Sequence, residues 1–191
     1  MKVSFVVIGL NESYILPRCF ESIAKLVEQT NKQLSFEFIY VDSGSTDNSI
    51  NIAKRHGFQT YLLTGNKSAS GARCVGAENA TGDWILFLDG DMEINDDFIN
   101  KALFSNHPID ENIIGYTGKR KEIIISENQE KVESEDYYGK KGIGVLRHLG
   151  GAVLLRKSCF DERSNYDPEQ VMWEESLLLF GLVSKGNDII G

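Results

Sequence analysis
The sequence predicts an α/β fold, with a mostly parallel central sheet between two layers of helices. Three observations carry this. Apolar runs of strand length alternate with segments whose apolar residues recur at helical spacing. The strand-like runs are apolar throughout, as in strands covered on both faces. Each of the first, second and fourth runs ends in a polar turn, at the edge where parallel sheets bind ligands.

Taken in order, Val3 to Ile8 is the first strand. A helical pattern follows from Glu12-Ser13 to about Gln29, its stripe formed by Ile15, Phe20, Ile23, Leu26 and Val27, with Pro17 tolerated in a first turn. Phe36 to Val41 is the second strand, closed by DSGSTDNS. Thr46 or Asp47 then caps a helix to about His56, which Gly57 ends. Phe58 to Leu62 is a third strand, and Ser68 or Ser70 starts a helix to Ala80. Trp84 to Leu88 is a fourth strand, and Asp96 opens the next helix. Beyond about residue 107 the regularity fades. Ile113 to Thr117 and Ile123 to Ile125 read as strands, Ser126 to Gly142 as a charged, mobile loop, His148 to Arg156 as a strand and Trp173 to Lys185 as a helix. The whole chain, residues 1–191, reads as one domain.

At 191 residues the chain is long enough for one sizeable core. Lys and Arg number 20 against 28 Asp and Glu, a formal charge of −8. That excludes a general nucleic-acid binder, which needs a basic face for phosphates. A small phosphorylated ligand stays open, since a metal ion can stand between carboxylates and phosphate. Cys19, Cys74 and Cys159 are widely spaced and form no zinc pattern, so reduced thiols in a cytoplasmic protein are the expectation. No apolar run approaches the roughly 20 residues that span a bilayer. The N-terminal run is too short for a signal peptide and lacks a cleavage site. Any membrane association would be peripheral, at the inner face.

Three polar signals fall at the predicted carboxyl ends of strands: Gly9-Leu10-Asn11-Glu12, Asp42-Ser43-Gly44-Ser45 and Asp89-Gly90-Asp91. In the last, the run WILFL leads straight into paired acids, which would be very costly to bury unpaired. Their hard oxygens suit Mg²⁺ or Mn²⁺. Magnesium takes one or two protein carboxylates and fills its other positions with water and substrate phosphates. Gly90 lets the backbone approach a ligand closely. Taken alone, an Asp-x-Asp also fits a solvated turn. A haloacid-dehalogenase-like phosphatase places such a pair after its first strand, whereas here three strands precede it. A dinucleotide-binding oxidoreductase needs Gly-x-Gly-x-x-Gly after the first strand, and GLNES lacks it.

LNES after the first strand, VDSGSTDNS at the second and GARCVGAENATGDWILFLDGDM further on together resemble the family 2 glycosyltransferases of the GT-A fold, a Rossmann-like α/β/α sandwich. They are similar to that family's YNE, VDDGSTD, RN-x-G-x-x-x-A-x-G and FLD-x-D blocks, in order and spacing, over residues 3–105. GGAVLLRKSCF is similar to the family's acceptor-side strand and WEESLLL to its ED-x-x-L helix, a looser fit.

The resemblance implies an inverting glycosyltransferase dependent on Mg²⁺ or Mn²⁺. It would move a sugar from a nucleotide-diphospho-sugar, by first choice a UDP-sugar, to a glycan or lipid-linked acceptor in cell-surface polysaccharide or glycolipid synthesis. Leu10, Asn11 and Glu12 would then line the nucleoside pocket, with Asp42 beside the base and Ser43 in place of the family's second aspartate. Gly71 would let the backbone approach, and Arg73 would meet the diphosphate or steady Asp89. Asp91 would bind the metal, with Asp89 in the ribose or metal shell, Gly90 against the ligand and Glu93 on a metal-bound water. Glu175 falls at the position of the family's base, with Glu174 beside it. Successive helix residues point about 100° apart, so one of the two faces the cleft. Residues 1–105 would be the nucleotide-sugar half and residues 106–191 the acceptor half, cut short at its C-terminal end. Ser43 and Cys74 depart from the family pattern and leave a second reading, a nucleotide-sugar-binding protein without turnover.

Overall fold
A computed structural model describes residues 1–65, 67–104, 113–118, 121–126, 129–135, 152–160 and 188–190. The first apolar run forms β1 (Lys2–Gly9), and the period-two geometry of a strand splits its side chains between two core layers. Val3, Phe5 and Val7 belong to one layer, and Val6 and Ile8 to the other. The chain continues through α1 (Leu16–Gln29), β2 (Ser35–Asp42), α2 (Ser49–Arg55), β3 (Gln59–Leu62), α3 (Ala69–Asn79), β4 (Trp84–Asp89) and α4 (Phe98–Phe104). There follow β5 (Ile113–Thr117), β6 (Lys121–Ser126), β7 (Gln129–Glu135), β8 (Ala152–Arg156), a 3-10 turn at Lys157–Cys159, and β9 (Asp188–Ile190).

Seven strands form the main sheet in the order β3-β2-β1-β4-β8-β5-β9. β1 pairs in parallel with β2 and β4, and β2 with β3. β8 runs antiparallel to both of its neighbours, β4 and β5. The sheet is therefore mostly parallel, as expected. Residues of α1, α2 and α4 pack into the layer that holds Phe5, while Ala72 and Ala77 of α3 pack into the layer that holds Val6. On the α3 side the approach is close: a β-carbon on Gly76 would overlap Val6 Cγ1. The register aligns Gly9 of β1 with Asp42 of β2, and Ile8 with Asp89 of β4. Three strand tips thus end level, at one edge.

The boundaries differ from the pattern in ways that have physical causes. α1 starts at Leu16, not at Glu12. The amides of Glu12 and Ser13 are taken by Ser49 Oγ (3.0 Å) and Asp47 Oδ2 (2.9 Å), so helical bonding begins only when Ile15 and Leu16 donate to Glu12 O. α2 is preceded by Asn48, whose side chain makes no capping bond, while Asp47 serves both sides: Oδ1 accepts from the Ser49 amide (3.0 Å) and hydroxyl (2.6 Å) and Oδ2 from the Ser13 amide. Ser68 caps α3 by accepting from the Gly71 amide at 2.9 Å.

The charged segment expected to be a loop carries β7, which pairs antiparallel with β6 as a separate two-stranded sheet. Charge content misleads there, since strand pairing is made by backbone groups that every residue carries. β9 is three residues long, too short for a periodic signal. The helix expected at Trp173 to Lys185 lies outside the described residues. No helix among the described residues is long and apolar enough to cross a membrane.

Candidate functional site
The level tips of β1, β2 and β4 carry the three turns singled out in the sequence, and the structure joins the first two by hydrogen bonds. Asn11 sits in the left-handed region at φ 56°. Its amide donates to Ser45 Oγ (2.8 Å), and its side-chain oxygen accepts from the Thr46 amide (2.7 Å) and hydroxyl (3.2 Å). With the Glu12 and Ser13 bonds, this stitches residues 11–13 to residues 45–49. Asn11 is therefore a tie between loops, while its neighbour Leu10 is 46% exposed at the lip of the edge.

Asp42 is fully buried and its carboxylate is engaged by its own surroundings. Oδ1 accepts from the amides of Gly44 (2.8 Å) and Ser45 (2.7 Å), and Oδ2 accepts from the Tyr40 hydroxyl (3.2 Å). Burial, followed by the charges of Asp42 and Glu12, pushes the Tyr40 hydroxyl well above its ordinary range, so it stays a donor. Ser43 is buried as well, its amide donating to Gly9 O at 3.0 Å. The Lys67 ammonium lies against Gly44, where a β-carbon would overlap it.

The third turn is built differently. Gly90 N–H donates to Ile8 O (2.9 Å), and Met92 N–H to Asp89 O (3.0 Å), closing a tight turn with Gly90 and Asp91 at its centre. Arg73 reaches it from α3, its Nη2 2.7 Å from Asp89 Oδ1, with the guanidinium almost wholly buried. A delocalised, fork-shaped cation suits such a buried pair. Asp91 is exposed, and among the described residues no side chain pairs with it. Glu93 turns away towards α1, its Oε1 2.6 Å from Arg18 Nε.

Glu12 lies between the first and third turns. Burial, then the charges of Asp91 and Asp89, raises its carboxyl to about 7, with the Leu10 amide pulling the other way. Its Oε2 is buried and has no hydrogen-bond partner. Arg73, Asp89, Gly90, Asp91 and Glu12 are thus brought together. Gly71 lies in the first turn of α3, where its amide is used by the Ser68 cap. Glu174 and Glu175 lie outside the described residues. The sequence reading missed Tyr40, Ser49 and Lys67, and named Ser45 only as part of its polar turn. The serines belong to the same motif block, but nothing in their spacing tells a loop tie from a ligand contact.

A divalent cation fits this donor set in one respect and not in another. Among the described residues no three His, Cys, Asp or Glu side chains could hold a metal ion by themselves. Asp91, however, offers an exposed hard carboxylate beside a glycine, and Mg²⁺ commonly uses one such ligand with phosphates and water.

The mostly parallel sheet, with its polar turns gathered at the carboxyl edge, has the GT-A fold of solved glycosyltransferases. Residues 4–163 match the family model described as glycosyl transferase family 2, and the chain belongs to that family. It is 38% identical over 98 residues to the uncharacterised glycosyltransferase YibD of Escherichia coli, a stretch covering 49% of this chain and 27% of that one. The chain spans about a third or less of the length of such relatives. In fold it is similar to Staphylococcus aureus TarS 1-349 in complex with UDP, with a TM-score of 0.70 at 18% identity, over 100% of this chain and 58% of that one. It is also similar to the mannosyltransferase PcManGT of Pyrobaculum calidifontis in complex with GDP-Man and Mn²⁺. There the TM-score is 0.67 at 15% identity, over 98% and 53% of the two chains.

Proposed function
We propose that this protein is a metal-dependent, inverting glycosyltransferase that takes a sugar from a nucleotide-diphospho-sugar, with UDP as the first-choice nucleotide. The observation that carries the reading is the arrangement of Arg73, Asp89 and the exposed Asp91 around one tight turn at the sheet's carboxyl edge. The motif order along residues 3–105 supports it, as do the nucleotide-sugar and Mn²⁺ complexes of structural relatives.

In this reading Asp91 holds Mg²⁺ or Mn²⁺, and Asp89, held by Arg73, faces the ribose or the metal's outer shell. The bound ion supplies Lewis-acid stabilisation of the diphosphate leaving group. Asp91 and Arg73 orient that group, and Leu10 with the stitched loops at residues 11–13 and 42–49 forms the wall of the nucleoside pocket. The acceptor hydroxyl attacks the anomeric carbon from the opposite face as the bond to diphosphate breaks, inverting that centre. A carboxylate on the acceptor side takes the hydroxyl proton. Glu175 is that base in this proposal, with Glu174 beside it. The acceptor is a glycan or lipid-linked sugar, in cell-surface polysaccharide or glycolipid synthesis.

The test is calorimetric titration of UDP with and without Mn²⁺, followed by an assay of donor hydrolysis. Metal-dependent UDP binding with metal-dependent hydrolysis is the expected result. Binding without turnover would favour a nucleotide-sugar-binding protein, and no UDP binding under either condition would overturn the reading.

A further inference from the structure
The carboxyl group of Glu12 occupies the space that side chains would fill on two glycines, Gly9 at the end of β1 and Gly90 in the turn after β4. A β-carbon on Gly9 would lie 2.5 Å from Glu12 Oε2, and one on Gly90 would overlap the same oxygen. That oxygen is buried and accepts no hydrogen bond. An unpaired buried acceptor is costly, so although the Leu10 amide bonds to the carboxyl group, hydrogen bonding does not account for where Oε2 sits. Its backbone, by contrast, is firmly held. Glu12 N–H donates to Ser49 Oγ, and Glu12 O accepts from Ile15 (3.0 Å) and Leu16 (2.9 Å) at the start of α1. Gly90 is held from the other side by its bond to Ile8 O. The side chain is a wedge between an anchored helix start and the centre of the Asp89–Met92 turn.

We infer that Glu12 is a positioning residue for the acidic turn, its carboxyl packed against Gly90 so that Asp89 faces Arg73 and Asp91 projects outward. This rests on the functional reading above, and it assigns Glu12 a role through shape rather than a contact to the nucleoside. With the wedge removed, the turn gains room to shift. With a β-carbon on Gly90, the turn and the Glu12 carboxyl must move apart, and the anchored backbone of Glu12 limits how far the carboxyl can retreat. Either change displaces Asp91 without touching it. The remaining neighbours of that β-carbon, Leu16 Cδ1 at 3.0 Å and Ile8 O at 3.2 Å, are tight but less severe.

The experiment is a double-mutant cycle read by calorimetric titration of UDP with Mn²⁺ and by thermal unfolding. Glu12→Ala is expected to weaken Mn²⁺-dependent UDP binding about tenfold, and Glu12→Gln, which keeps the shape, to stay within about threefold of the parent. Gly90→Ala is expected to cost about tenfold in the parent and less than about threefold in the Glu12→Ala background. A Gly90→Ala protein that unfolds while the double variant folds supports the wedge equally. Additive losses, a Glu12→Gln variant as weak as Glu12→Ala, or an unchanged Glu12→Ala would each overturn the inference. So would failure of both Gly90→Ala proteins to fold, because Leu16 and Ile8 would then be what forbids the β-carbon. A parent that binds no UDP with Mn²⁺ sinks the functional reading and this inference with it. A parent that binds, with an additive cycle, sinks the inference alone.

Discussion

Arg73 Nη2 lies 2.7 Å from Asp89 Oδ1, joining α3 to the tip of β4, and the two partners are unequally covered: 4% of the arginine side chain is exposed against 30% of the aspartate. The pair neutralises one acid of the turn from behind and leaves the other, Asp91, facing solvent. The expense of an apolar run ending in two acids is met on one side by a buried cation. On the other it is met by water or a ligand.

Replacing Arg73 by Met should remove this ion pair from Asp89. Breaking a fully buried pair costs about 3–5 kcal/mol, and the exposure of Asp89 reduces this to about 2. Arg73→Lys keeps the charge but loses the fork and should cost about 1 kcal/mol. Urea unfolding of the two variants checks the order. An Arg73→Met protein as stable as the parent would show that the pair is idle.

Asp91→Ala should leave folding stability within about 0.5 kcal/mol of the parent, because the side chain is exposed. UDP affinity in the presence of Mn²⁺ should fall at least about tenfold, and affinity in a chelator should not change. Equal affinity with Mn²⁺ would remove Asp91 from the metal assignment.

The raised carboxyl of Glu12 makes stability depend on pH in a defined direction. Between 4.5, its unfolded value, and about 7, the folded protein keeps a proton that the unfolded chain has released. This contribution is fully present below pH 4.5 and is lost as pH rises through about 7. Glu12→Gln should flatten that part of a metal-free stability profile. An unchanged slope would mean that Glu12 is ionised in the folded state throughout.

Glu37 behaves in the opposite sense, at the other edge of the sheet. It accepts from Lys2 Nζ (2.7 Å), the Ser4 hydroxyl, the Thr81 amide (2.5 Å) and hydroxyl (2.7 Å) and the Gly82 amide (3.2 Å). Burial pushes its carboxyl up, but hydrogen bonds from Lys2, Ser4 and Thr81 outweigh that and hold it at about 2. Its contribution is therefore present above 4.5 and lost as pH falls through about 2. Glu37→Ala should cost about 2 kcal/mol at neutral pH, with the gap to the parent closing towards pH 2. A gap independent of pH would point to lost packing instead.

Gly76→Ala should destabilise by about 2 kcal/mol through overlap with Val6, and Val6→Ala in the same chain should recover part of it. Thermal unfolding of the pair and the two single variants measures the coupling.

The sequence by itself determined the helix layers on both faces of a mostly parallel sheet, the succession of strands and helices in the first half and the edge where the polar turns gather. Continuous apolar runs admit little but strands covered on both faces, and the tips of such strands are where polar turns can reach a ligand. Asp89 and Asp91 were legible for that reason, as was Arg73 through the block it sits in. Only the tertiary structure decided what each polar group is spent on. Asn11 and Asp42 read as residues of the nucleoside pocket, and the structure adds that Asn11 ties two loops together and that Asp42 is buried under its own turn and Tyr40. Glu12 read as a ribose or base contact, and in space its carboxyl lies against Gly9 and Gly90. Strand β7 was hidden by its charges, since the backbone bonds that pair it with β6 leave no mark in the sequence. A hydrogen bond or steric fit between residues 35 or 78 positions apart, as for Asn11 with Thr46 and Glu12 with Gly90, has no local pattern. It comes into being only when the sheet brings the strand tips level.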